Sequence, residues 1–337
     1  MSNILYRWDD LKKLQAGEMI HPTFVDLHLS DVCNQNCMGC AFKQNHEEMM
    51  MSESNFMVAA DILMNEGVKS FAFCGGGEPC CVNYLPRVWR HIRSRDCHFA
   101  MLTNGSLLDD DTISTMINQG TFCRVSLEAS NREDYAAYKR VPLDHWDRVI
   151  ANIRKLVSLK EQAQSKCSIG TKFAVSKSLR GEKHYQDAVE LAESLGVDRL
   201  TFRALRGVDE ELEPAQALAE NMMLDDVLGM LRPKCRVARS IVKAPLSHVP
   251  QCWLNPIHTV MNWKGDLFIC CYYYFRRERH LIGNIFEQDF KELWYSQKHK
   301  DLIAAINRCE CHTVDCKFFA YHDDFNENDR VGSLYLI

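Results

Sequence analysis

The sequence has no run of about 18 consecutive apolar residues, the length a membrane-crossing helix requires, so no spanning segment is expected. It lacks the charged start and apolar stretch that mark a secretory signal; residues 1–17 are mixed and charged throughout. A cytoplasmic location is therefore expected. Basic excess is missing too, since 40 Lys+Arg against 45 Asp+Glu give a formal net charge of −5. Phosphate backbones are gripped by clustered Lys and Arg, so a nucleic-acid partner is excluded. Low-complexity segments are absent, as is any repeat beyond a β/α unit. What is present is an ordinary globular composition, 46% hydrophobic and 25% charged. Its 337 residues suit one large α/β domain with a smaller appendage. The excess is in cysteine. Sixteen cysteines in a long chain without an export signal do not read as a disulfide framework. Thiols kept reduced point instead to metal ligation or redox chemistry.

The first two-thirds alternate strands and helices. Apolar patterning predicts strands over residues 24–29, 70–74, 98–102, 123–127, 168–175 and 199–202, with helices over 52–65, around Trp89 and Ile92, and over 109–118, 146–159 and 185–195. Six β-then-α units demand a parallel sheet with right-handed crossovers. Curled up, they make a partial (β/α)6 TIM-like barrel, whose chemistry belongs at the C-terminal strand ends. The pattern breaks near Glu210. A helix and linker follow, Pro245 and Pro250 mark a boundary, and residues 257–261 and 267–271 flank the turn Trp263-Lys264-Gly265-Asp266 as a β-hairpin. Further helices are expected over 290–295 and 301–306. The expected organisation is an N-terminal segment 1–21, a barrel 22–209, a helical linker 210–250, a small α+β extension 251–325 and a tail 326–337.

Cys33, Cys37 and Cys40 stand on a loop directly after the first strand. Three thiolates so spaced can bind three irons of a cubane and leave the fourth open to a ligand. The same spacing also fits a zinc site with His46 as fourth ligand. One β/α unit later, Gly75-Gly76-Gly77-Glu78-Pro79 ends a strand; glycines let backbone approach a ligand closely, and Glu78 can hold an amino group.

On these residues, together with Ala41-Phe42, the chain resembles the radical S-adenosylmethionine (SAM) superfamily over residues 22–207. The resemblance implies a [4Fe–4S] cluster on Cys33, Cys37 and Cys40. Its open iron would chelate the amino and carboxylate groups of SAM, and reductive cleavage would give a 5′-deoxyadenosyl radical that abstracts a substrate hydrogen. It further implies SAM contacts from Gly75, Gly76, Gly77 and Glu78, from Thr103 and Asn104 at the third strand end, and from Ser126 and Glu128 toward the ribose. Lys172 and Arg140 are implied for the carboxylate and Leu205 for the adenine. A flavodoxin- or ferredoxin-type reductant is the expected partner.

A second constellation is Cys252, twelve residues, Gly265, four residues, then Cys270, which resembles the opening of the SPASM/twitch extension of a radical SAM subgroup. It implies an auxiliary [4Fe–4S] cluster completed from Cys309-Glu310-Cys311-His312-Thr313-Val314-Asp315-Cys316. That group departs from the usual Cys-x-x-Cys start, and only six cysteines follow residue 250, which favours one auxiliary cluster. The expected ligands are Cys252, Cys270, Cys316 and either Cys311 or Cys309, with Cys311 chosen. A structural zinc site, with His312 at hand, is the competing reading.

The relatives in this subgroup include aminocyclitol dehydrogenases and peptide-modifying enzymes. About twenty residues precede the first strand, too few for a fused leader-binding module, which tilts the expectation toward oxidation of a small polar metabolite such as a sugar, aminocyclitol or nucleoside. Oxidation, cross-linking or epimerisation of a peptide is the alternative. An epimerase needs a hydrogen donor, for which Cys235, Cys80 and Cys81 are candidates, Cys235 first. A non-catalytic iron–sulfur electron carrier or a zinc-stapled binding module would need neither an open iron nor a glycine box.

Overall fold

The structure is a computed structural model; it describes residues 8–42, 47–205, 208–241, 252, 255–271 and 277–305. Cys309, Cys311 and Cys316, His46, His312, and the tail 326–337 lie outside the described residues. Contacts divide the chain into two compact units, one of residues 27–53 and 72–243, the other of 1–26, 54–71 and 244–337.

The strands are β1 (Phe24–His28), β2 (Ser70–Phe73), β3 (His98–Thr103), β4 (Phe122–Ser126), β5 (Ser168–Val175), β6 (Arg199–Ala204), β7 (Arg236–Ser240), β8 (His258–Asn262), β9 (Asp266–Phe268) and β10 (Leu281–Asn284). The helices are α1 (Trp8–Gln15), α2 (Glu53–Asn65), α3 (Leu85–Ser94), α4 (Asp110–Gln119), α5 (Arg132–Lys139), α6 (Asp144–Gln162), α7 (Glu182–Leu195), α8 (Pro214–Leu231), α9 (Arg277–His280), α10 (Phe290–Trp294) and α11 (Gln297–Ala305).

In the larger unit the strands lie side by side in chain order, and β3 through β7 pair in parallel. The mixed α/β fold with a parallel sheet is as the sequence predicts. The parallel run also continues one strand further, because β7 pairs with β6 where only linker was expected. Alternate residues point to the helices. Val125, Ile169, Phe173, Leu200 and Phe202 are fully buried there, with Ile153 and Leu156 of α6 and Tyr185 and Ala188 of α7. Each such aliphatic or aromatic side chain contributes about 1.5–3 kcal/mol by leaving water. The Tyr185 ring meets Phe202 edge-on at 5.5 Å. Local signals start the helices: Asp109 accepts from Thr112 N at 2.8 Å, and Asn131 from Asp134 N at 2.9 Å. All C-terminal strand ends consequently share one edge of the parallel sheet.

In the smaller unit β8, β9 and β10 form an antiparallel meander, with β8 beside β1. Two asparagines hold the β8–β9 turn, Asn284 donating from Nδ2 to the Lys264 carbonyl (3.0 Å) and to Asp266 Oδ1 (2.9 Å). Asn262 Oδ1 accepts from the backbone N–H groups of Lys264 (3.0 Å) and Asp266 (2.9 Å), and Gly265 takes the left-handed conformation at φ 88°. Trp294 anchors α10, stacking on Phe290 and donating its indole N–H to the Ile20 carbonyl at 2.8 Å. Among the described residues, no helix is long and apolar enough to cross a membrane.

Candidate active site

The cysteine loop begins where β1 ends and is clamped from two sides. On one side lies the glycine run. Ser30 bridges to Gly76, the Gly77 N–H donates to the Ser30 carbonyl, and Glu78 N–H donates to the Val32 carbonyl at 2.9 Å. The glycines are there for this contact. A Cβ on Gly76 would stand 2.6 Å from the Ser30 carbonyl oxygen, and one on Gly77 would collide with the Val32 carbonyl, immediately before Cys33. Gly75 lies as tightly on the His28 ring. On the other side lies the end of α5. Asn36 N–H donates to the Lys139 carbonyl (3.1 Å) and Met38 N–H to that of Tyr138 (2.9 Å). Gly39 lets the loop close on Tyr138, whose hydroxyl would be 2.6 Å from any Cβ, and on the side chain of Leu205.

Glu78 turns inward. Its carboxylate accepts from Thr103 Oγ1 (2.5 Å), Asn104 N–H (2.7 Å) and Cys80 N–H (3.1 Å). Burial raises its carboxyl above the ordinary carboxylate value in spite of those donors. Asn104 Nδ2 in turn donates to Asn34 Oδ1 at 2.8 Å, and Asn34 Nδ2 to Ser106 Oγ at 2.8 Å. Thr103 and Asn104 thus tie the β3 end to the glycine run and the cysteine loop.

Beside Cys37 lies a buried charge cluster. Glu128, only 4% exposed and held at φ 73°, receives Lys172 Nζ at 2.7 Å and Lys139 Nζ at 3.9 Å. Lys139, 2% exposed, also donates to the Ser126 carbonyl at 2.8 Å. Burial alone would raise the Glu128 carboxyl, but Lys172 and Lys139 outweigh it and hold it below the ordinary value. Burial lowers Lys172 despite Glu128. Arg140, by contrast, is exposed; it caps α5 in the left-handed conformation at φ 54°, and Lys139 takes the interior place. Lys139, Gln35 and Tyr135 (joined at 3.0 Å) are the members that sequence reasoning missed. Their one signal is the apolar face of α5, where Tyr135, Ala136, Tyr138 and Lys139 are buried together.

These residues fit the group the motif implies. Cys33, Cys37 and Cys40 share one loop, and their thiols lie near enough to influence each other's charge. Burial pushes the Cys33 thiol up to about 12 and also raises Cys37, so loading metal here must displace protons. Among the described residues, no three His, Cys, Asp or Glu side chains converge on a single-ion site. Three thiolates serving three separate irons do not need to. Glu128 Oε2 is buried without a hydrogen-bond partner, an acceptor suited to a ribose hydroxyl. Cys81 is half-buried close to Cys33, and Cys80 sits behind Glu78 at 3.8 Å from Thr103 Oγ1. Cys235 precedes β7, the edge strand that β2 to β6 separate from β1 and its cysteine loop, and is not brought into this group.

In the smaller unit Cys252 is buried, and Cys270 and Cys271 are half-buried just past β9. The first two expected auxiliary ligands, Cys252 and Cys270, thus flank the β8–β9 hairpin in the sequence.

Family models match two regions of the chain. Residues 27–165 match the radical SAM superfamily and residues 252–317 the SPASM iron–sulfur cluster-binding domain. A Pyrococcus furiosus relative, the tungsten-containing aldehyde ferredoxin oxidoreductase cofactor-modifying protein, is 25% identical over 310 residues, covering 82% of each chain. Streptococcus suis SuiB bound to precursor peptide SuiA superimposes with a TM-score of 0.69 at 14% identity, over 89% of this chain and 70% of that one. Another solved structure, anSMEcpe with bound AdoMet and the Cp18Cys peptide, gives 0.66 at 17% identity, over 88% and 87%. The cofactors are accordingly a [4Fe–4S] cluster, SAM and an auxiliary iron–sulfur cluster. The chain carries a radical SAM domain over residues 27–165 and, C-terminal to it, a SPASM iron–sulfur cluster-binding domain over residues 252–317.

Proposed function

We propose that this radical SAM enzyme oxidises a small polar metabolite, such as a sugar, aminocyclitol or nucleoside, by abstracting a hydrogen atom from it. When bound, SAM and the two clusters supply the redox chemistry: an electron that splits the sulfonium to a 5′-deoxyadenosyl radical, and an acceptor for the electron that substrate oxidation releases. The chain's own residues position and enclose. Gly76 and Gly77 fix the cysteine loop against the β2 end, Glu128 offers a buried acceptor to the ribose, and Lys172 offers a cation to the SAM carboxylate. Lys139 joins it in that role from the α5 end. Leu205, packed on Gly39, is the apolar floor for the adenine. Cys33, Cys37 and Cys40 hold the first cluster; Cys252, Cys270, Cys311 and Cys316 are the proposed auxiliary ligands. The initiating electron would come from a flavodoxin- or ferredoxin-type partner.

The observation that carries the reading is the Lys139–Glu128–Lys172 cluster beside Cys37, charged groups kept in a dry site where their interactions are strong. The polar choice of substrate is supported by the inward face of β4–β6, where Ser126, Lys172 and Thr201 stand in one row. The P. furiosus relative, named for the modification of a cofactor, supports the same choice. A peptide substrate is the second reading, favoured by the peptides bound in the SuiB and anSMEcpe structures.

The test is anaerobic purification with iron and sulfide counts, followed by a substrate screen read out as 5′-deoxyadenosine. About eight irons per chain are expected for two cubanes, falling by half when Cys33, Cys37 and Cys40 are replaced by Ala. SAM cleavage surviving in that triple variant would refute the assignment. Turnover of peptides with no response to sugars or nucleosides would replace the metabolite reading by the second one.

A further inference from the structure

Gln35 stands between the first two cysteines of the loop and is enclosed, only 9% exposed. The backbone around it is fixed from α5, since Asn36 N–H donates to the Lys139 carbonyl and Met38 N–H to that of Tyr138. Held in this way, the amide uses both of its ends. Nε2 donates to the Tyr135 hydroxyl at 3.0 Å, and Oε1 accepts from the Cys37 thiol at 3.8 Å. Tyr135 is fully buried. Its ring meets Trp146 edge-on at 5.5 Å, and the Lys139 ammonium stands 5.9 Å from its centroid.

This polarity requires a proton on the Cys37 sulfur. A cysteine that ligates iron is a thiolate with no proton to give, so Oε1 would then face an anionic sulfur, acceptor against acceptor. The far end of the relay is short as well. Among the described residues the Tyr135 hydroxyl finds no hydrogen-bond acceptor for its own proton, although the residue is fully buried. An unmade bond at a buried polar group is costly. Turning the Gln35 amide over about its last torsion, which is soft and two-fold, corrects both ends at once. Nε2–H then donates to the thiolate, and the Tyr135 O–H donates to Oε1. The one proton lost is the proton that Cys37 releases to solvent as its sulfur bonds iron; the tyrosine hydroxyl rotates and keeps its own. Hydrogen bonds to the sulfurs are among the levers that set the potential of an iron–sulfur cluster, because they offset the negative charge that reduction adds.

Resting on the assignment of Cys33, Cys37 and Cys40 to the first cluster, we propose that Gln35 is a positioning residue whose amide reverses when iron is bound, so that Nε2 donates to the Cys37 sulfur, Tyr135 donates to Oε1, and the cluster becomes easier to reduce. One electron enters the cluster from its reductant, and no proton accompanies it.

The experiment uses the full chain carrying both clusters, the first being the one whose electron paramagnetic resonance signal responds to added SAM. Protein with its glutamine side-chain nitrogens isotopically labelled is reduced and read by pulsed resonance. Midpoint potentials are measured for the wild type, Q35L, Y135F and the control Q162L, whose residue is exposed on α6. A coupling from the labelled nitrogen to the first cluster is expected in the wild type and Q162L and should vanish in Q35L. Q35L should shift the reduction equilibrium about tenfold against the reduced form, a potential about 59 mV lower for a one-electron couple. Y135F, which cannot donate to Oε1, should fall in the same direction by less. A residue that merely packs would change iron retention without producing the nitrogen coupling. Wild-type potential in Q35L with full iron overturns the proposal. Should Q35L fail to take iron, Y135F decides: a lowered potential supports the relay and an unchanged one overturns it. Wild-type protein that takes no iron on these three cysteines overturns the cluster assignment together with the proposal. Iron without the nitrogen coupling overturns the proposal alone.

Discussion

Two glycine-to-alanine substitutions should move stability in opposite directions. Gly77 is not in a left-handed conformation, so its substitution costs nothing through φ; the cost is steric. The added methyl group would meet the Val32 carbonyl and the Asp31 carbonyl carbon, which are backbone and have no rotamer to escape into. Forcing a methyl group into such packing costs about 1–3 kcal/mol. The bonds from Gly77 to Ser30 and from Glu78 to Val32 would stretch as well, adding about 1 kcal/mol. G77A should therefore destabilise by about 2–4 kcal/mol. Because Val32 precedes Cys33, the strain falls on the cysteine loop, and reconstituted protein should lose iron from the first cluster while the auxiliary cluster keeps its share. Gly229 lies exposed in α8 with no atom within 4 Å of an added Cβ. G229A should stabilise by about 0.5–1 kcal/mol through helix propensity alone. Denaturant titration read by amide exchange in peptides from residues 27–53, with iron counts, decides. Unchanged stability and full iron in G77A would show that the glycine run does not hold the loop.

Replacing Cys252 and Cys270 by Ala should remove about half the iron and spare 5′-deoxyadenosine formation while abolishing oxidised product; normal product would remove the auxiliary cluster from the reaction. His299 is fully buried, its Nδ1–H donating to the Trp294 carbonyl at 2.7 Å and its Nε2 unpartnered, and burial pushes it down from 6.5 to about 4. The unfolded chain therefore binds a proton that the folded chain refuses. Stability contributed by the neutral ring is complete above pH 6.5 and is lost as pH falls toward 4, by about 3 kcal/mol. Urea titrations at pH 7 and 4.5 should show that loss for the smaller unit, and H299Q should flatten it.

The elements with strong alternation were legible. Residues 168–175 of β5 are bounded in the structure as the apolar pattern bounds them. β7 was not, because Arg236-Val-Ala-Arg-Ser has no apolar run and is exposed at three of five positions, as suits a sheet edge. The cysteine spacing and the glycine run were visible as motifs, but the steric reason for the glycines lies in residues 30–32, more than forty positions away. Sequence reasoning assigned the glycines to a ligand, since no local pattern shows that a distant backbone is what they admit. Glu78 likewise reads as a free carboxylate until Thr103 and Asn104 are seen to close on it.

The pair Lys139–Arg140 shows where the sequence reading and the geometry part. Both are cations at the end of a short charged helix, and of the two the family resemblance implies Arg140 for the SAM carboxylate. What separates them is one backbone torsion. Through Lys139 the chain is helical, and the 135–136 and 138–139 positions share the buried face; at Arg140 φ reverses to 54° and the side chain leaves the interior. Lys139 then spends its charge on Glu128 and the Ser126 carbonyl. K139Q should cost about 1–3 kcal/mol of SAM affinity or of stability, because it leaves buried acceptors short of a cation. R140G places glycine where the left-handed conformation favours it and should be neutral or slightly stabilising. SAM binding measured by equilibrium dialysis on both variants compares the two cations directly. A larger loss in R140G than in K139Q would put the SAM carboxylate at the outer residue and overturn the interior assignment.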